Sequence, residues 1–437
     1  MNVLVIGGRL GSTRWSHAGV VREVCRGLAG RGHAVTLACM SADDASWFAP
    51  ARVVAMTAHD HAGSDWAAGF PRWARGVIAR SEADVVVSTS RLAWGDVWMP
   101  LGPSAAAWME EVVGALGPVG LGKWVYKHTG VLRARAVEMQ RPWPRGMGGK
   151  RPARVAVVGA EAAGCAKGVL AAHRLDTRVV ALPFVSWCVL PDDLERERQR
   201  AAIRLAAGVA SGDTFALASC TGLVGESLAP VFEAAARVND RLGRTGRQGK
   251  LIVGVLARDA FHAHDQAVRA GAVEWVRVLG TTARVEGALS ACDVAIVPPP
   301  AIPDGFMTGS MGRFAADALR MARPVIIADG APGAELVSSL PGLGEPGAVV
   351  RNDGVEPASA SWERALARAM EPQWRERALV AAAAAGAAEK LGPAGFIDAL
   401  EAVMDAAMAE RKRESGPRQG VKARSVGQER GAGRLDG

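Results

Sequence analysis

A chain of 437 residues is long enough for two domains of ordinary size, each with its own apolar core. With 49% hydrophobic and 22% charged residues, the composition excludes a largely disordered protein. The formal net charge is +8, and residues 411–437 hold 8 basic and 3 acidic side chains, a net of +5. The nearly balanced remainder argues against a nucleic-acid-binding protein, because such proteins carry a strongly basic face.

The start of the chain predicts a strand, a glycine-rich turn, a helix and a second strand. Val3–Ile6 is a short apolar run, residues 7–11 contain three glycines, and residues 17–31 have apolar side chains at helical spacing. A dinucleotide site would require GxGxxG after the first strand, and the spacing of Gly7 and Gly11, with three residues between them, does not fit that motif. An NAD-dependent oxidoreductase therefore remains only as an alternative.

The middle of the chain continues this alternation and then changes pattern. Residues 83–90 predict a strand with a polar carboxyl end, and residues 154–158 and 178–182 predict two more. Pro183 and Pro191 then separate two series of strands and helices, which indicates a linker. We predict four segments: a first domain at residues 1–185, a second at 186–393, a helix at 394–410, and a basic disordered tail at 411–437.

The stretch from Ala283 to Val337 alternates short helices and buried strands, as a parallel sheet with crossover helices requires. Ligands in such sheets bind at the carboxyl ends of strands, where helix N-termini point amide N–H groups at anions. We therefore predict that the turn of Gly309, Ser310 and Gly312 holds a phosphate. The alternative is a tight loop without a ligand.

Three segments in this half resemble the nucleotide-sugar domain of retaining glycosyltransferases of the GT-B fold, the group 1 or family-4-like set. They are residues 291–294, 317–326 and 331–337, which occur in the family's order and at its spacing. The resemblance implies an α/β protein with two Rossmann-like domains whose parallel sheets face a cleft. The sequence departs from the family pattern where the family has two glutamates, an arginine and a lysine, at Gly309, Asp317, Thr221 and Glu226 respectively.

The resemblance also implies an activity. We expect transfer of a hexose, with retention, from a UDP- or GDP-sugar to a glycan, a lipid-linked acceptor or another cell-envelope saccharide. Because several donor-site residues are divergent, a catalytically inactive GT-B-like binding or scaffold protein is the alternative. In the subgroup that resembles lipopolysaccharide-core glucosyltransferases, an element similar to Asp96-Val97-Trp98 lies near the acceptor; the alternative for Asp96 is a helix cap or a surface turn residue.

The candidate site residues follow from the same resemblance. Gly309, Ser310 and Gly312 would supply phosphate-binding amides, and Arg313 would replace a lost cation. Asp317 would bind a ribose or sugar hydroxyl. Further candidates are Asp96 and Asp317 as catalytic carboxylates, Gly8 and Gly11 closing from the first domain, and Glu335 in the third matched segment.

Metal ions and nucleic acid are not expected as partners. The cysteines are spread singly without a CxxC pair, and the two His-x-His pairs, at His59 and His262, have no partner cluster and are typical of surface histidines. No basic region precedes the apolar start, and no apolar run of about 18 residues occurs, so a cytoplasmic protein is expected. Peripheral contact with the inner face of the membrane, through the basic tail or the basic stretch at residues 105–140, remains open, and the oligomeric state is undetermined.

Overall fold

The computed structural model describes residues 1–10, 17–57, 66–90, 95–100, 154–160, 163–164, 166–167, 177–220, 228–257, 260–280, 285–299, 311–331, 333–338, 345–351, 357–387 and 391–415. In chain order the strands are β1 (Asn2–Ile6), β2 (Arg9–Leu10), β3 (Ala34–Cys39), β4 (Ser41–Ala42), β5 (Arg52–Ala55), β6 (Val85–Ser88), β7 (Val97–Trp98), β8 (Arg154–Val158), β9 (Arg178–Leu182), β10 (Thr214–Cys220), β11 (Leu251–Ala257), β12 (Val276–Val278), β13 (Val294–Val297), β14 (Val325–Ala328) and β15 (Gly347–Val350).

The helices are α1 (His17–Gly30), α2 (Trp66–Arg80), α3 (Asp193–Ala206), α4 (Ala229–Thr245), α5 (Ala260–Arg269), α6 (Val285–Ala291), α7 (Met311–Arg320), α8 (Ala334–Ser338), α9 (Ala358–Ala369), α10 (Pro372–Ala387) and α11 (Pro393–Ser415). Short 3-10 turns lie at Ser46–Phe48 and Val273–Trp275. Within the described part of the chain, no helix is both long and apolar enough to span a membrane.

Seven of the described strands form a first parallel sheet in the order β5-β3-β1-β6-β7-β8-β9. Six others form a second parallel sheet in the order β12-β11-β10-β13-β14-β15. Strands such as β6, β11 and β13 are buried along their whole length, as expected where helices cover both faces of a parallel sheet. The predicted α/β class with two parallel sheets is confirmed.

The elements predicted between Ala283 and Val337 are present in the predicted order. They are α6, β13, α7, β14 and α8. Residues 183–192 form neither helix nor strand and connect β9, an edge strand of the first sheet, to α3. We refer to residues 183–192 as the connector.

A charged cluster links elements at the amino-terminal edge of the second sheet. Asp293 accepts hydrogen bonds from Arg200 at 2.9 Å, from Arg204 at 3.0 Å and from the amide of Phe215 at 2.8 Å. Burial opposes ionisation, but the Phe215 amide and the two guanidiniums hold the pKa of Asp293 below its usual value. This cluster fixes α3 against the start of β13 at the edge away from the cleft.

The last helix, α11, crosses back onto the first sheet. Its buried side chains, Phe396, Ile397, Leu400, Val403 and Met404, belong to the same apolar cluster as β1, β3 and β6. Around this seam Asp398 pairs with Arg31 and Glu401 pairs with His33. The helix continues past Arg411, where the sequence predicted the start of a disordered tail, to Ser415.

Truncation of the chain after Glu410 is expected to have a small but measurable cost. Arg411 Nη1 lies 3.4 Å from Asp96 Oδ2 and 3.5 Å from the carbonyl oxygen of Asp84. More than half of the Arg411 side chain is exposed, so this pair contributes about 1 kcal/mol or less. Thermal unfolding of this truncation, with truncation after Ser415 as the control, measures the contribution. A loss of several kcal/mol relative to the control would contradict the surface role.

Candidate active site

The carboxyl-terminal edges of the two sheets meet at a cleft. The backbone amide of Ala160, two residues after the end of β8, donates to Glu335 Oε1 at 2.9 Å and to Oε2 at 3.2 Å. Glu335 lies in α8, which follows the carboxyl end of β14. In open α/β sheets ligands bind outside the carboxyl ends of the strands, so this cleft is the candidate active site.

Helix α7 begins at this cleft. Met311 is its first residue, which places Gly312 within the first turn rather than before it. The amides of a first turn have no partner within the helix, so this end of α7 can bind an anion. Gly309 and Ser310 lie outside the described residues, and their assignment as phosphate ligands stays a prediction, together with that of Gly312.

Asp317 is fully buried in the second half of α7. Its Oδ1 accepts a hydrogen bond of 2.7 Å from the Ser186 hydroxyl, and its Oδ2 lies 3.3 Å from Arg313 Nε. Burial raises the pKa of Asp317, although Arg313 and Ser186 act in the opposite direction. In this arrangement the carboxylate faces the connector and the arginine, whereas the sequence assigned it to a ribose or sugar hydroxyl.

Arg313 lies one turn before Asp317, and only a tenth of its side chain is exposed. It lines a cavity where α7 meets the connector, the first domain and α11. The other residues that line this cavity are Val20, Val158, Phe184, Val185, Trp187 and Phe396. The ion pair with Asp317 restricts the guanidinium, so Arg313 is a cation held in place between α7, the connector and the first domain.

The glycine-rich turn after β1 is partly described. The amide of Gly7 donates to the carbonyl of Ala38 at 2.8 Å, and the carbonyl of Gly8 accepts from the amide of Met40 at 3.1 Å. The backbone thus continues to form hydrogen bonds beyond the end of β1. It then leads into β2, which pairs with β4. A Cβ at Gly8 would meet no atom within 4 Å, so a ligand can approach the backbone closely there. Gly11 lies outside the described residues.

Asp96 lies at the amino-terminal edge of the first sheet. Its Oδ2 accepts a hydrogen bond of 2.9 Å from the amide of Val86, near the start of β6, and lies 3.4 Å from Arg411 Nη1. The cleft is at the opposite, carboxyl-terminal edge. The Asp96 carboxylate therefore links β6, the start of β7 and α11.

Sequence reasoning missed two residues of the cleft, Ser186 and Ala160. Ser186 is the only hydroxyl residue in the apolar run of residues 183–190, and a buried hydroxyl requires a partner; that was a usable signal. Ala160 contributes only its amide, which no side-chain pattern reveals. Among the described residues, no group of three or more His, Cys, Asp or Glu side chains could hold a metal ion.

No family model matches the sequence, and no curated protein matches it. Solved structures do match, over nearly the whole chain. The structure of WaaG, a glycosyltransferase involved in lipopolysaccharide biosynthesis, superimposes with a TM-score of 0.64 at 14% sequence identity, covering 92% of this chain and 99% of WaaG. The chain has the GT-B fold.

Two further GT-B structures support this assignment. A glycosyltransferase from Rickettsia africae gives a TM-score of 0.57 at 12% identity, covering 93% of this chain and 99% of that chain. Anabaena HepE in complex with UDP-glucose gives a TM-score of 0.56 at 12% identity, covering 92% of this chain and 99% of that chain. The predicted architecture, two Rossmann-like domains with parallel sheets facing a cleft, is confirmed.

Proposed function

We propose that this GT-B protein transfers a sugar from a nucleotide-sugar donor to an acceptor, and that the donor diphosphate binds at the first turn of α7. The observation that carries the proposal is the position of that turn after the carboxyl end of β13, with the Arg313 guanidinium held beside the turn by the buried Asp317. A nucleotide-sugar donor is supported by one of the similar structures, HepE, which was solved with UDP-glucose and with UDP and glucose.

The chemistry requires that the leaving diphosphate be stabilised. A helix N-terminus carries about half a positive charge together with free N–H groups, and Gly309 and Gly312 allow the backbone to approach a phosphate closely. Arg313 supplies the side-chain cation that the family pattern would place at Thr221 and Glu226, both of which lie outside the described residues. Fixed donors of this kind stabilise charge as it develops on the leaving group.

The finer parts of the proposal extend the family resemblance. The donor is a UDP- or GDP-hexose, transfer proceeds with retention, and no metal ion takes part. The acceptor is a glycan or lipid-linked saccharide of the cell envelope, bound by the first domain, where Gly8 and Gly11 face the donor. Such an acceptor places the protein in the cytoplasm, in peripheral contact with the inner face of the membrane.

A binding or scaffold protein without activity is the second candidate. Two carboxylates that were candidate ligand-binding groups instead accept hydrogen bonds within the protein, Asp317 from Ser186 and Glu335 from Ala160. This observation favours the second candidate. A scaffold of this kind would bind a nucleotide-sugar without turnover, or would bind none. Binding and turnover therefore have to be measured separately.

The test begins with thermal shift and calorimetry on the full chain against UDP-, GDP-, ADP- and TDP-sugars and NAD. A ligand at 100 times its dissociation constant adds about 2.7 kcal/mol to the free energy of unfolding, so a true donor raises the melting temperature. Arg313→Gln is expected to weaken donor binding by about tenfold or more, because a charge-assisted hydrogen bond is lost. Gly312→Val is expected to abolish binding.

The matched control is Arg247→Gln, which removes an exposed guanidinium on the turn after α4. Its donor affinity should equal that of the parent. If Arg313→Gln and Gly312→Val both fold and bind as the parent does, the donor site lies elsewhere. A parent that binds no nucleotide-sugar would favour the scaffold candidate.

A further inference from the structure

Glu335 makes a contact that joins the two domains. Its carboxylate accepts the backbone N–H of Ala160 through both oxygens, at 2.9 and 3.2 Å. Ala160 follows the first sheet, and Glu335 belongs to a helix of the second. The sequence made Glu335 a candidate site residue, and in this structure its carboxylate is directed at the opposite domain.

The backbone N–H of Ala160 requires a hydrogen-bond acceptor from outside its own helical turn. Ala160 is the first helical residue after β8, and the amide of Ala163 already bonds to the carbonyl of Gly159. The first amides of a helical turn have no partner within it, and acidic side chains are stabilising at this end. Glu335 therefore caps a helical turn of the other domain, a charge-assisted interaction that exists only while the domains are closed.

Gly159 shows that the surroundings of this contact are closely packed. Its φ is +92°, in the left-handed region that favours glycine. A Cβ on Gly159 would lie 2.3 Å from Glu335 Oε1 and 2.7 Å from Phe184 Cζ of the connector. Parts of both domains and of the connector thus converge on one glycine, which leaves room for the carboxylate and for little else.

We propose that Glu335 is a positioning residue that holds the two domains closed through the N–H of Ala160. Its consequence for catalysis rests on the proposed function, since closure sets the distance between the first turn of α7 and the glycine-rich turn after β1. The domain contact itself does not depend on that function. Loss of the contact shifts the equilibrium towards an open arrangement by about tenfold, the effect of one hydrogen bond to a charged group.

Two substitutions remove the two halves of this contact separately. Glu335→Ala removes the acceptor. Ala160→Pro removes the donor N–H at the first helical position and adds no polar group. The ring Cδ takes the place of that hydrogen, so the Glu335 carboxylate has to move away from it. Gly164→Ala is the control, because it lies in the same segment and its added Cβ meets no atom within 4 Å.

The first measurement is small-angle X-ray scattering on the full chain without ligand. Glu335→Ala and Ala160→Pro should each increase the radius of gyration beyond that of the parent, and the double variant should match the single ones, because both remove one interaction. Gly164→Ala should match the parent. Unchanged scattering in Glu335→Ala, or additive changes in the double variant, would overturn the proposal.

The second measurement is steady-state kinetics with the donor found in the binding screen. Both variants should lower kcat by up to about tenfold, the limit set by a tenfold shift of the closed population, with a smaller change in donor KM, because closure completes the site after the donor has bound. If Glu335 instead binds the nucleotide, only Glu335→Ala raises donor KM and Ala160→Pro behaves as the parent, which contradicts a positioning role. A parent that binds no donor refutes the proposed function and leaves the scattering test in force.

Discussion

Replacement of Asp317 by alanine is expected to lower the free energy of unfolding by about 3–5 kcal/mol, the usual cost of removing one member of a buried charged pair. The carboxylate is fully buried and holds both Arg313 and the Ser186 hydroxyl. Without it the Ser186 hydroxyl faces a cavity, and the nearly buried guanidinium loses this counter-charge. Because Ser186 belongs to the connector, the variant should also loosen α7 against the connector.

The isosteric variant Asp317→Asn separates shape from charge. Burial raises the pKa of Asp317, so the folded protein keeps the proton to a higher pH than the unfolded chain, whose pKa is about 3.9. The stability contributed by the protonated form is therefore fully present below about pH 4 and is lost as the pH rises through the raised pKa. Asparagine cannot ionise, so Asp317→Asn should lack this decline.

Urea denaturation across the pH range checks both variants. Asp240→Ala, which removes an exposed carboxylate on α4, is the control and should change stability by less than about 0.5 kcal/mol. A parent whose stability rises over the interval from pH 4 to pH 7 relative to Asp317→Asn would contradict the raised pKa. If Asp317→Ala has the same free energy of unfolding as the parent, the pair of Asp317 with Ser186 contributes nothing to stability.

A second large effect is expected from Gly386→Ala, at the place where α10 packs against α7. A Cβ on Gly386 would stand 1.9 Å from the carbonyl oxygen of Leu319 and 2.9 Å from Arg320 Cα. These are backbone atoms, which cannot move aside as a side-chain tip can. In addition, Arg320 Nη1 donates to the carbonyl of Gly386 at 2.8 Å. The helices must separate, at a cost of about 3 kcal/mol.

The matched control for this substitution is Gly243→Ala in α4. A Cβ there meets no atom within 4 Å, and alanine in a helix interior is more favourable than glycine by up to about 1 kcal/mol. The two variants should therefore change the free energy of unfolding in opposite directions. If Gly386→Ala is as stable as the parent in chemical denaturation, the close contact between α7 and α10 is not required by the fold.

Much of the fold could be predicted because its signals are local. The apolar runs of β13 and β14, with proline before β14 and glycines after it, indicate buried parallel strands separated by a short helix. The same reasoning predicted α11, whose apolar residues repeat at helical spacing. It placed the end of α11 too early, at Glu410, because the charged residues that follow resemble a solvated tail.

The site was harder to predict because its contacts join distant parts of the chain. Helical periodicity cannot show that Asp317 faces the connector, since Ser186 lies in a segment without regular structure. Asp96 follows a polar strand end in the sequence, yet β7 is only two residues long and places it beside the start of β6. Glu335 stood in a recognisable pattern, but its partner is a backbone amide, which has no signature in a sequence.

The crossing of α11 has a consequence for biosynthesis. The helix that completes the apolar cluster of the first sheet is made only after the whole second domain has been synthesised. At about 5–20 residues per second, the interval between Leu182 and Ile397 is on the order of 10–40 s. During that time the surface of Gly27 that receives Ile397 stays uncovered. A nascent chain arrested before Pro393 should therefore present a ready target for a chaperone that recognises exposed apolar surface.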